Sequence, residues 1–116
     1  MPDAVERYLE CVARTHDWDG LRACLTDDVV RVGPYGDVYE GRDAYVEFLA
    51  GLMPRLHGYE MQVDRVVYAG DIAFALLSET VDVDGTPIRT PEALVFDLAP
   101  DGRIRRVEVY LQTAGP

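Results

Sequence analysis

Residues 72–113 constrain the chain most. Three apolar-rich runs, IAFALLSETVDV, IRTPEALVFDL and IRRVEVYLQT, are separated only by DGTP and APDGR. In the last run Val107, Val109 and Leu111 alternate with Arg106, Glu108, Tyr110 and Gln112. That period of two puts one face of a strand against a core and the other in water. Asp84-Gly85 and Asp101-Gly102 supply the turns, since Asp and Gly tolerate the positive φ of tight hairpin connections. The region predicts an antiparallel meander with one apolar face, and the preceding residues must cover that face.

The first 71 residues carry helical patterns that can do so. Asp3 is placed to cap a helix, with Glu6 three positions on, and Val5, Leu9, Val12 and Ala13 form its apolar stripe with Tyr8 on the shoulder. His16-Asp17 breaks the pattern, and a shorter helix follows with Leu21 and Leu25 inward and Trp18 at its start. VVRVG at 29–33 reads as a strand stopped by Gly33-Pro34, and residues 35–41 as a loop. The strongest helical pattern covers 42–53, with Ala44, Tyr45, Phe48, Leu49 and Leu52 on one face, and Pro54 ends it. From Tyr59 the chain alternates again until Val66-Val67 fall side by side, which predicts a bulge near Arg65. Helices gathered early and strands late predict an α+β fold: three N-terminal helices on a strongly curved antiparallel sheet, with an apolar pocket between them.

Chemistry is bounded by what the sequence carries and lacks. A chain of 116 residues suits one domain, 1–116, with a single core. A formal net charge of −10 argues against nucleic-acid or anionic-membrane partners, which need neutralising cations. No apolar run approaches the roughly 18 residues of a membrane span. The start, MPDAVERYLECV, is unlike a secretory or transit segment, so a cytoplasmic location is expected. Cys11 and Cys24 then read as two buried thiols in a reducing compartment. His16 and His57 are isolated, no Gly-rich phosphate loop or G-x-S-x-G is present, and Ser78 is the lone serine. Cofactor-free, metal-free chemistry is the expectation.

ERYLECVARTHDWDGLRACLTDDVVRVGP, then YEGRDAYVEFL, then the meander closing with DGRIRRVEVYL form an ordered set that covers nearly the whole chain. In that order the chain resembles the nuclear-transport-factor-2-like superfamily, in its SnoaL-like and steroid-isomerase-like branch. The resemblance implies a cone of curved sheet around an apolar pocket, and often a homodimer. It does not imply one reaction, because isomerases, polyketide cyclases, dehydratases, epoxide hydrolases and non-catalytic subunits share the cone. Aligned through DWDG, the DD strand and the DG turns, the three steroid-isomerase catalytic positions fall on Leu9, Gly33 and Leu94. None is ionisable, so steroid isomerisation is not expected, and Tyr8 lies one residue, about 100° of helix, from the first position. Neither the Asp-Arg-Asp pattern of limonene-epoxide hydrolases nor the acid–histidine pair of SnoaL-type cyclases is reproduced.

Glu79 is the leading catalytic candidate. It shares parity with Ala75, Leu77, Val81 and Val83, which the resemblance places on the cavity side; the opposite face, with Phe74, Leu76, Ser78 and Thr80, is also partly apolar. A carboxyl among aliphatics is pushed toward a pKa useful in acid–base catalysis. Glu92 shares parity with Leu94, Phe96 and Leu98 and is placed nearer the rim, with a solvated strand irregularity after Pro91 as the alternative. Arg31 faces inward by the resemblance and outward by simple alternation, since Val30 and Val32 flank it. His57, just past the third helix, is a candidate at the mouth. Trp18, Tyr35, Phe48, Tyr59, Met61, Leu77, Leu94, Phe96 and Val109 are the expected ligand-binding wall.

These residues point to an acid–base enzyme acting on a small apolar molecule, such as a cyclase, isomerase, dehydratase or epoxide hydrolase. The alternative is a non-catalytic module that binds a hydrophobic ligand or dimerises. Phe74, Leu76, Thr80, Val95 and Tyr110 share the outer face of the meander and are the expected homodimer surface.

Overall fold

The computed structural model describes residues 3–112 and has three helices packed on one face of a six-stranded sheet. Helix α1 (Ala4–Glu10) begins where the Asp3 side chain accepts a hydrogen bond from the Glu6 backbone N–H at 2.9 Å. A π-helical turn (Cys11–Thr15) continues it and stops at His16, whose φ of 52° is left-handed. Asp17 caps α2 (Trp18–Cys24) in the same way, accepting from Gly20 N–H at 2.9 Å. Both helix starts are where the sequence puts them. The π-helical turn is not, because nothing in an apolar stripe distinguishes a wide turn from an ordinary one.

The sheet comprises β1 (Leu25–Val32), β2 (Val38–Glu40), β3 (Glu60–Ala69), β4 (Ile72–Val83), β5 (Thr86–Leu98) and β6 (Ile104–Leu111), in the order β2-β1-β6-β5-β4-β3. Between β2 and β3 run α3 (Arg42–Leu52) and a 3-10 turn (Met53–Arg55) that contains Pro54. Strands β3 to β6 form the expected antiparallel meander. Val83 pairs with Thr86 across Asp84 (φ 52°) and Gly85 (φ 82°), the positive-φ pair that a two-residue hairpin needs. The β3 register slips between Val63 and Arg65, where the alternation predicts a bulge.

Three features differ from the sequence expectation. The sheet is mixed, because β1 runs parallel to β6 and lies beside the end of the chain instead of extending the meander. Strand β1 also starts at Leu25, four residues ahead of the expected start at Val29, so Leu25 belongs to the strand and not to the second helix. A short strand, β2, forms in the expected loop and pairs antiparallel with β1. Thr113, at the end of the third apolar run, lies outside the described residues.

Leu21 and Leu25 fall inward as their pattern requires, and with Val29, Tyr45, Val46, Phe96, Ile104 and Val107 they make the solvent-free centre of the core. Cys11 and Cys24 are buried free thiols, the Cys24 Sγ donating to the Gly20 carbonyl at 3.3 Å. Among the described residues no helix is long and apolar enough to cross a membrane. Between α1, α3 and the concave face of β4, β5 and β6, packing is incomplete and a cavity remains.

Candidate functional site

The cavity is about 310 Å³, the size of a small organic ligand. Aliphatic side chains from helices and strands, among them Val12, Leu49, Leu94 and Val109, make most of its wall. Val83 and Ile88, exposed at the end of the β4–β5 hairpin, form an apolar rim. Polar groups are few: Glu79, Glu92, Arg31, Tyr8, Tyr59 and Thr90.

Sheet register explains how the two carboxyls meet. Glu79 on β4 sits opposite Thr90 on β5, and Glu92 sits opposite Leu77. The two acids are therefore diagonal neighbours on the concave face of adjacent strands, within reach of long side chains. Glu92 is 9 % exposed, and burial is the largest cause that pushes its carboxyl up to about 9. Its hydrogen bond to Glu79 and the Glu79 charge push the same way, while the Arg31 charge opposes them. At neutral pH the Glu92 carboxyl is therefore in its protonated form. The Tyr59 hydroxyl also donates to Glu79, from just ahead of β3. Burial first, and then Glu79, push the Tyr59 phenol well above its ordinary range.

Arg31 projects into the cavity. Directly paired residues in a sheet face the same side, and Arg31 pairs with Val107, which shares its face with Val109 and Leu111. Val30 and Val32 pair with Arg106 and Glu108 on the outer face, so simple alternation misleads here. The Arg31 guanidinium lies 4.9 Å from the Phe48 ring centre and 3.2 Å from Asp37 Oδ2, and its side chain is only 12 % exposed. The same alignment that places Arg31 inward misplaces the first helix. Tyr8, not Leu9, lines the cavity; its ring meets Phe96 edge-on at 5.2 Å and its hydroxyl hydrogen-bonds Tyr45. The offset has a physical source. Counting back from Asp17 crosses the π-helical turn, which holds one residue more than an α-helical turn would, so every earlier position shifts by one. Burial pushes the Tyr8 phenol up to about 12 and the Tyr45 phenol well above its ordinary value, so both stay neutral donors.

Of the expected ligand wall, Tyr59, Met61, Leu94 and Val109 line the cavity together with Glu79, Glu92 and Arg31. The others do not. Tyr35 is 83 % exposed, at the turn between β1 and β2. Trp18 packs half-buried at the core edge, 5.8 Å from the His16 ring. Phe48 stacks on Tyr39 at 4.1 Å and supports Arg31 from behind. Leu77 and Phe96 lie in the solid core beneath the cavity. His57 is exposed: the 3-10 turn aims Leu56 at the cavity and leaves the imidazole outside. Asp37 is the polar group that sequence reasoning leaves out; Tyr8 and Tyr45 are noticed there but not assigned to the site. Tyr45 does lie on the apolar face of the 42–53 pattern, which was the available signal. Among the described residues no group of three His, Cys, Asp or Glu side chains is arranged to hold a metal ion.

A family model described as a SnoaL-like domain matches residues 5–107. Among solved structures, a protein of ketosteroid isomerase-like fold from Catenulispora acidiphila, in complex with trimethylamine, superposes with a TM-score of 0.80 at 18 % identity, over 95 % of this chain and 85 % of that one. A candidate SnoaL-like polyketide cyclase from Jannaschia sp. gives 0.80 at 21 % identity, over 94 % and 85 %. An LEH-like epoxide hydrolase of M. tuberculosis gives 0.80 at 23 % identity, over 94 % and 80 %. At these identities the likeness is one of fold. No functionally curated protein matches the sequence.

Proposed function

The chain belongs to the SnoaL-like domain family, and we propose that within it this protein is a cofactor-free acid–base enzyme acting on a small, largely apolar substrate. One observation carries the reading: two carboxyls, Glu79 and the largely buried Glu92, stand diagonally on adjacent strands inside an apolar cavity. A protonated carboxyl beside a second carboxyl makes a ready acid–base pair. Glu79 removes a proton from the substrate, and Glu92 delivers one to a second atom of it. Tyr59 steadies Glu79, and the neutral Tyr8 hydroxyl with the Arg31 guanidinium supplies donors for negative charge that develops on a substrate oxygen. Isomerisation, cyclisation, dehydration and epoxide opening all need this set of proton transfers. A candidate cyclase and an epoxide hydrolase share the fold, which supports an enzymatic reading at the level of fold only.

The test is deuterium wash-in. Small alicyclic ketones and aminoketones are incubated with the chain in D2O, and loss of the α-proton signal is followed by NMR. The wild type is expected to accelerate exchange of at least one member. Glu79→Gln should lower that rate about 100-fold or more while leaving the circular dichroism spectrum intact. Exchange at equal rates in wild type and Glu79→Gln, across the panel, would instead support a non-catalytic ligand-binding module.

A further inference from the structure

We propose that the substrate class of this cavity is a small apolar organic cation, an amine in its protonated form, and that the pairing of Asp37 with Arg31 sets that choice. The inference rests on the reading of the cavity as the substrate site and deepens it. The chain has no lysine, and Arg31 is the cation that lines the cavity among the described residues. Its charge is already answered. Asp37 Oδ2 accepts from Arg31 Nη1 at 3.2 Å, and the guanidinium lies over Phe48.

The turn that brings Asp37 there is closely tied to this contact. Gly33 N–H donates to the Asp37 carbonyl at 2.7 Å, and Gly36, at a φ of 79°, donates to the Gly33 carbonyl at 3.2 Å. Any side chain at position 33 would overlap the Asp37 carboxylate, so Gly33 is what lets that carboxylate fold back against β1. Asp37 Oδ1 is buried beside it with no hydrogen-bond partner. A ligand anion that approached Arg31 would compete with a carboxylate the chain itself supplies.

Among the described residues Glu79 and Glu92 make no ion pair; Arg31 acts on Glu92 only through its charge, and Tyr59 donates one neutral hydrogen bond to Glu79. With Glu92 protonated the pair carries a single negative charge. Arg31 (+1), Asp37 (−1) and the pair (−1) leave the site one negative charge in excess, within walls that are mostly aliphatic. In such surroundings an uncompensated charge is unfavourable and an incoming opposite charge is attracted strongly. An apolar body that bears one positive nitrogen matches both the wall and the charge.

Isothermal titration calorimetry with three probes of equal shape tests this: cyclohexylammonium, cyclohexanol and cyclohexanecarboxylate at neutral pH. The ammonium should bind about tenfold or more tightly than the alcohol, and the carboxylate most weakly. Glu79→Gln combined with Glu92→Gln should abolish the ammonium preference and keep cyclohexanol binding. Asp37→Asn, which frees the Arg31 charge, should weaken the ammonium and strengthen the carboxylate. Alcohol or carboxylate binding as tightly as the ammonium to the wild type overturns the inference. So does an ammonium preference that survives the double glutamine variant, since it would then reflect the acidic surface. Failure of the inference alone shows as cyclohexanol binding without the ammonium preference. Binding of none of the three removes both the inference and the reading of the cavity as a substrate site.

Discussion

Glu92 is where physical chemistry and function meet at the scale of a single residue. Its carboxyl is held up to about 9 mainly by burial, against an ordinary value of 4.5. Between those values the folded chain keeps a proton that the unfolded chain releases. The stabilisation is therefore fully present below the ordinary carboxyl range and is lost as pH rises through about 9. One proton corresponds to a slope of about −1.4 kcal/mol per pH unit. Urea midpoints measured between about pH 6 and 8 should show stability falling, and Glu92→Gln, neutral at every pH, should flatten that fall. An unchanged slope in Glu92→Gln assigns the pH dependence to other groups. Glu79 was legible in the sequence as an acid at a parity shared with aliphatics. Glu92 was legible as an acid at cavity parity nearer the rim; its near-complete burial beside Glu79 was not, because burial depends on how the helices cover the sheet.

Element by element, legibility follows the range of the forces involved. Caps and tight turns are set by neighbours within three or four residues, so the Asp3 cap, the helix break at Asp17 and the Asp84-Gly85 turn could be read directly, and the structure adds that Asp17 caps α2. Asp17→Ala should accordingly lower stability by about 1 kcal/mol, read from the urea midpoint, with no change in the cavity. A change below a few tenths of that would mean α2 is held by packing alone. Arg31 and Tyr8 were decided by longer-range features. Parallel pairing of β1 with β6 turns Arg31 inward against the local alternation. The π-helical turn sets Tyr8 in place of Leu9. Strand β2 escaped notice because three residues are too few to show a period.

For the whole molecule, the outer face of the sheet raises the question of assembly. Register sets Val67, Phe74 and Val95 in one row and Leu76, Ala93 and Tyr110 in the next, so these side chains are contiguous across β3 to β6. Phe74 and Tyr110 are among the exposed large side chains. Thr80 lies further along, opposite Arg89. Glu108 crosses the patch but is answered by Arg106 at 2.8 Å and by the Tyr110 hydroxyl at 2.5 Å. We propose that two copies pair through this face, which leaves the cavity of each on the opposite side of its sheet. Sedimentation at micromolar concentration should give the mass of a dimer, and Tyr110→Glu should give a monomer. A wild type that sediments as a monomer rules the arrangement out.

The carboxyl pair is the centre of the account, and carbon-13 NMR of the glutamate side-chain carboxyls observes it directly. Glu92 should titrate near pH 9, and should move downward in Glu79→Gln as the neighbouring charge and hydrogen bond are lost while burial remains. A Glu92 carboxyl that titrates in the ordinary glutamate range, unaffected by Glu79→Gln, would contradict the protonated state of Glu92 at neutral pH and with it the acid–base reading of the site.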